Sequence, residues 1–266
     1  MGLYPAIDMS QAILSLVFGG LIGFSLGLLG GGGSILTVPI LVYVIGQNVH
    51  AATGTSLAIV GASALLGALA HSRKGNVRMK SGLIFGLMSM IGAIPGVWLN
   101  RLVAGKVILI LFGFLMMGVA ISMLHKKSGH PEAKAAGIPC DAYTPKDWFR
   151  LLLIGSVVGV LTGFFGVGGG FLIVPALALV GNFPIYQAVG TSLLVIAMAS
   201  VSGFLGHLSL GAVDLGIVGL FVLGGLPGVL SGTALAGKMP ERKLAKAFGW
   251  FIILVALYLI YENFLR

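Results

Sequence analysis

The sequence predicts an all-α polytopic membrane protein of two inverted-topology repeats. Each repeat is a glycine-rich broken helix or re-entrant hairpin plus about three further spanning helices. Three observations predict this. The chain of 266 residues is 58% hydrophobic and 9% charged, far more apolar than a soluble domain of this size needs. Residues 19–77 recur at 155–213 at a constant offset of 136, and an internal repeat in an apolar chain is the mark of many transporter folds. The basic loops of one half also match base-poor loops of the other.

Taken in order, residues 10–29 read as a helix. Its Gly19, Gly23 and Gly27 are spaced by four, as at close helix contacts in membranes. Residues 30–34 break it, because each glycine costs about 1 kcal/mol against alanine in a helix. The short piece 35–46 would cover about 18 Å as helix, less than a core of about 30 Å. It either returns as the second arm of a hairpin or crosses with Ser34–Val38 extended and Pro39 in the first helical turn. The first reading gives three spans per half and the second gives five. Spans follow at 51–72, 79–99 and 106–124. The second half has a helix over 148–165, a break at 166–170, a short piece at 171–181, and spans at 186–208, 213–236 and 243–262. The expected units are a first repeat over 1–124, a linker over 125–147 and a second repeat over 148–266. At an offset of 132 the match resumes, with Pro95-Gly96 on Pro227-Gly228 and Gly105-Lys106 on Gly237-Lys238. Pro95 and Pro227 read as kinks or hinges.

Loop charges set the orientation. Arg73, Lys74, Arg78 and Lys80 place the loop after 51–72 in the cytoplasm, whereas its counterpart at 209–214 has no base. Lys238, Arg242, Lys243 and Lys246 do the same for the loop before the last span, against only Arg101 and Lys106 in its counterpart. The linker, with Lys126, Lys127, Lys134, Lys146 and Arg150, is also cytoplasmic. Positive loops stay inside, so the halves are inverted and both termini are expected outside. No base precedes the first apolar run, so that run is expected to remain in the protein rather than to be cleaved as a signal.

The chemistry is expected at the glycine breaks. A break at membrane depth frees amide groups and creates a helix N-terminus with partial positive charge. Such amides bind anions without a basic side chain. The candidate anion ligands are Gly30, Gly32, Gly33 and Ser34 in the first break and Gly166, Gly168, Gly169 and Gly170 in the second. The hydroxyls of Thr55, Ser56, Thr191 and Ser192 join them, unless they cap the helices in which they lie. His71 and His207 close the predicted spans 51–72 and 186–208. They read as interfacial helix caps or as groups for gating or proton coupling.

Other classes are excluded on composition. The net charge of +9 lies in short loops, which is membrane topology rather than nucleic-acid binding. No acid lies deep in a predicted span, whereas cation pumps keep one, so a small anion is the expected substrate. No Gly-Lys-Ser/Thr follows either glycine cluster, which excludes a P-loop. No metal-ligand cluster, cofactor motif or nucleophile–base pair stands out, so neither an enzyme nor a cofactor is expected. The single cysteine, Cys140, reads as a free thiol in the linker. The oligomeric state is left open.

The paired patterns Gly27–Pro39 with Ala51–Ser56, and Gly163–Pro175 with Ala188–Ser192, each followed by a Pro-Gly helix, resemble the TauE/SafE family of sulfite exporters. The resemblance covers nearly the whole chain outside the linker. It implies export of a small sulfur oxyanion or organosulfonate across a bacterial inner membrane, without ATP. A passive anion channel or an importer of another small solute are the alternatives. The first break has Gly31 and Ser34 where the second has Val167 and Gly170, so the two halves of a site would not be equivalent.

Overall fold

The computed structural model describes residues 9–125, 145–166, 170–179, 183–208, 213–236, 238 and 241–264. Among them are ten helices and no strand: α1 (Met9–Leu29), α2 (Gly32–Tyr43), α3 (Val49–Ser72), α4 (Met79–Leu102), α5 (Gly105–His125), α6 (Pro145–Phe165), α7 (Gly170–Leu179), α8 (Ile185–Leu208), α9 (Leu215–Ala236) and α10 (Glu241–Phe264). Five of them, α1, α3, α4, α8 and α9, are long and apolar enough to cross a membrane. Their outer faces carry Leu21, Ile91, Ile94, Trp98 and Leu223 in the open. Such a surface suits lipid and not water.

The helix starts answer to local chemistry. Asn48 caps α3 by accepting from the amide of Ala51 at 2.8 Å. Asp214 caps α9 by accepting from Gly216 and Ile217 at 3.0 and 3.1 Å. Helices α1 and α6 end on Gly30 and Gly166, whose φ of 71° and 70° is the left-handed conformation that terminates helices. Their amides close the last turns onto Leu26 O and Thr162 O.

The chain then turns back. A β-carbon on Gly33 would run into the carbonyl of Ile22 and the side chain of Leu26, and one on Gly32 would meet Leu29 at 2.9 Å. Residues eleven apart along one continuous helix would be about 16 Å apart, so α2 returns beside α1 as a hairpin. This decides between the two sequence readings of 35–46. It also places Pro39 in the interior of α2, not in an initial turn after an extended stretch, because helix already begins at Gly32.

Four of the five helices in the second half, α6, α8, α9 and α10, begin 136 residues after their counterparts. That overturns the expected offset of 132 in the later spans. Gly92 packs on Ser156 O and Gly228 on Gly20 O. Gly20 and Ser156 are themselves 136 apart, so Gly92, not Gly96, matches Gly228. Pro95 and Pro227 therefore occupy different turns. The four-residue slip is close to one turn of about 3.6 residues, which keeps the same helix face and the same kind of residue match.

Helices α3 and α8 form the centre and run antiparallel. Leu57 lies against Gly203, Gly61 against Ser200 and Gly67 against Leu193. Helix α1 runs parallel to α9, with Gly19, Gly23 and Gly27 on the backbone of Phe221, Gly225 and Val229. Helix α6 does the same on α4, with Gly159 and Gly163 on Ser89 and Ala93. The four-residue glycine spacing thus removes the side chains that would hold these backbones apart. Helix α5 packs on α10.

Candidate functional site

The two glycine breaks meet. A β-carbon on Gly170 would lie 2.7 Å from Gly31 Cα and 2.6 Å from Ile196 Cδ1. The antiparallel register of α3 and α8 has its centre near Ala62 and Met198, so Ile196 marks the middle of the molecule. Helix α2 starts here, and no side chain caps its N-terminus. Its first-turn amides, those of Gly32 and Gly33 among them, have no partner within the helix. Ser34 Oγ turns its proton to Gly31 O at 2.6 Å.

The hydroxyl pairs bind the halves to each other. Ser192 Oγ lies 2.8 Å from Gly30 O and 2.7 Å from Val189 O, its single proton serving both. Ser56 Oγ does the same for Gly166 O and Thr53 O. Thr191 Oγ1 accepts from the amide of Arg78 at 3.0 Å, and Thr55 Oγ1 accepts from that of Asp214 at 3.3 Å. All four side chains are fully buried. None caps its own helix, because α3 and α8 begin six residues before Thr55 and Thr191. The Ser56 and Ser192 braces lie on opposite sides of the centre, about 18 Å apart along α3 by helix rise. The structure therefore joins Gly31 and Gly170 but does not gather the four hydroxyls around one point. Gly168 and Gly169 lie outside the described residues, as do Cys140 and residues 126–144 of the linker.

His71 and His207 are both about 1% exposed, so neither ring lies open at the end of its helix. His71 Nε2 pairs with Gly27 O at 3.1 Å and His207 Nδ1 with Gly203 O at 3.0 Å. Pro95 and Pro227 lie inside unbroken α4 and α9.

Sequence reasoning missed several polar contacts between distant parts of the chain. Arg78 Nε donates to Gln187 Oε1 at 2.6 Å, and its guanidinium stacks 4.6 Å from the Phe183 ring centre. Asn100 Nδ2 donates to Phe164 O at 2.6 Å, while its Oδ1 pairs with His50 Nδ1 at 2.9 Å. An asparagine at the end of an apolar span was the one signal available for the second pair. Among the described residues no group of histidine, cysteine and carboxylates is arranged to hold a metal.

Comparison with known proteins places this architecture. The profile of a family described as "Sulfite exporter TauE/SafE" matches residues 15–259. A "Probable membrane transporter protein" of Xylella fastidiosa (strain 9a5c) is 39% identical over 264 residues, covering 97% of this chain and 98% of its own. The "Probable membrane transporter protein YunE" of Bacillus subtilis (strain 168) is 34% identical over 270 residues, covering 95% and 99%. No solved structure matches the chain. The ten-helix apolar fold and these matches agree: the chain is a multi-pass membrane transporter rather than an enzyme, and it belongs to the sulfite exporter TauE/SafE family.

Proposed function

We propose that this protein is a secondary transporter that exports a small sulfur-containing anion, sulfite or an organosulfonate, across the inner membrane by alternating access. The meeting of Gly31 and Gly170 between α3 and α8 carries the reading. It brings two interrupted hairpins together where uncapped amides meet no carboxylate among the described residues. Amides in a water-poor site favour an anion over a cation. The halves are read as inverted repeats, in keeping with the antiparallel α3 and α8 and the shared offset of 136. Loop charge then puts both termini outside.

In this reading Gly30, Gly32, Gly33, Ser34, Gly166, Gly168, Gly169 and Gly170 present backbone to the anion. Ser56 and Ser192 brace the ends of α6 and α1, Thr55 and Thr191 brace the starts of α9 and α4, and these contacts release in turn as one repeat rocks against the other. Pro95 and Pro227 serve as hinges. The inside-negative potential favours anion exit by about 2.3 kcal/mol per charge per 100 mV, so export can run without a coupled ion, and His71 and His207 are the groups that would serve gating or proton coupling.

The test is flux in proteoliposomes with sulfite, sulfate, thiosulfate and sulfoacetate in turn. Saturable sulfite flux with counterflow is expected, and Gly32→Ala, which crowds the uncapped amides but meets side chains of Leu29 and Ser25 rather than another backbone, should lower it while the protein still folds. Flux without saturation or counterflow would identify a channel. Absence of any sulfite movement overturns the reading.

A further inference from the structure

Helices α1, α3 and α9 end together at one mouth of the molecule, on Gly27. His71 Nε2 lies 3.1 Å from Gly27 O. Thr233 Oγ1 lies 3.0 Å from where a Gly27 β-carbon would stand. Lys74 Nζ donates to Thr233 O at 2.9 Å. His71 and Thr233 are only 1% and 2% exposed, yet His71 Nδ1 and Thr233 Oγ1 have no hydrogen-bond partner.

The idle Thr233 hydroxyl is out of pattern. A helical threonine ordinarily donates to the carbonyl four residues back. Thr37, Thr53 and Thr162 each do so, and so does Ser231, two residues before Thr233. For Thr233 that carbonyl belongs to Val229 and is pressed against Gly27. A buried donor without an acceptor calls for one, which a water, an ion or a ligand can supply. Lys74 adds an ammonium that donates to the Thr233 carbonyl and pairs with no carboxylate among the described residues.

Hydroxyl and ammonium at one point are the donor set of an oxyanion site, while His71 spends its Nε2 proton on Gly27 O and holds that backbone in place. The carbonyl ends of three helices oppose a negative charge there, and Lys74 offsets them. The balance suits weak, rapidly reversible occupancy. The corresponding residues of the other half are Gly163, His207, Leu210 and Val97. The histidine recurs, but the ammonium and the hydroxyl do not. A role in packing alone would not call for that difference.

We propose that Lys74 and Thr233, with His71 bracing Gly27 beside them, form an anion-binding station at this mouth, separate from the central glycine breaks, through which a small oxyanion passes. Its place on a transport route rests on the proposed function above.

The test uses the full chain with Thr233→Val, which keeps shape and removes the hydroxyl, and Lys74→Gln. Sulfite flux is read from each face of oriented vesicles. Thr233→Val should raise the half-saturating sulfite concentration about tenfold on the Lys74 face, the scale of a hydrogen bond to a charged group. The opposite face should be unchanged. Equal effects on both faces, or none, overturn the station. Calorimetry of the purified chain with sulfite reads the station apart from flux, and Thr233→Val should weaken that binding by a similar factor. Unaltered binding overturns the proposal. Binding that responds to Thr233→Val in a chain that moves no sulfite sinks the transport reading alone.

Discussion

Ser192 Oγ stands 2.8 Å from the carbonyl oxygen of Gly30, the residue that ends α1. The two are 162 residues apart. The same bond joins Ser56 to Gly166. Each central helix therefore holds the end of the other half's first helix by a carbonyl that this helix cannot satisfy. Stability and the proposed alternation share one set of bonds.

Ser192→Ala should destabilise the protein by about 1–3 kcal/mol, because a buried carbonyl loses its donor. Ser56→Ala should do the same at Gly166. The two sites are far enough apart for their effects to add. Denaturation of the single and double variants in detergent checks this, and a strongly non-additive double variant would contradict the separate braces.

Gly30 and Gly46 share a positive φ, 71° and 82°, but differ in surroundings. A β-carbon at Gly30 would fall 2.7 Å from Val189 Cα, and one at Gly46 meets nothing within 4 Å. Gly46→Ala should cost about 1–2 kcal/mol, the left-handed penalty alone. Gly30→Ala should cost clearly more, or prevent folding. Comparing melting temperatures of the two variants separates strain from clash.

Gly23 and Gly219 both lie in apolar helices. Gly23 sits against the Gly225 backbone, whereas Gly219 has open space around it. Gly23→Leu should separate α1 from α9 and leave no folded protein. Gly219→Leu should be tolerated, and its intrinsic helix preference favours the variant by up to about 1 kcal/mol. Monodispersity on gel filtration is the readout.

Asn100 bonds Phe164 O and His50 at once and is 1% exposed. Asn100→Ala should cost about 1–3 kcal/mol by stranding the Phe164 carbonyl. His50→Ala should cost less, since its ring is only partly buried. Equal losses would mean that the histidine, and not the carbonyl, is the partner that matters.

The fold was legible wherever the signal was local. Both glycine clusters announced helix ends, because adjacent glycines make helix costly, although the first break is only Gly30 and Gly31 and helix resumes at Gly32. Gly19, Gly23 and Gly27 announced a close helix contact. The burial of His71 and His207 was not legible, because a histidine at a helix end looks the same whether lipid headgroups or another helix lie beyond it. The distant partners of Ser56, Ser192, Arg78 and Asn100 were also invisible, since each of these contacts joins residues at least 50 positions apart.

By itself the sequence determined the membrane setting, the helices and their breaks, and the doubling of the chain. These follow from the length of apolar runs, from backbone propensity and from identity at a fixed spacing. Tertiary structure alone decided that α2 folds back along α1, that the later helices keep the 136 register, and that the hydroxyls serve the opposite half. A break permits either direction of exit, a one-turn slip preserves a helix face, and a hydroxyl finds its acceptor only when packing has brought the two together.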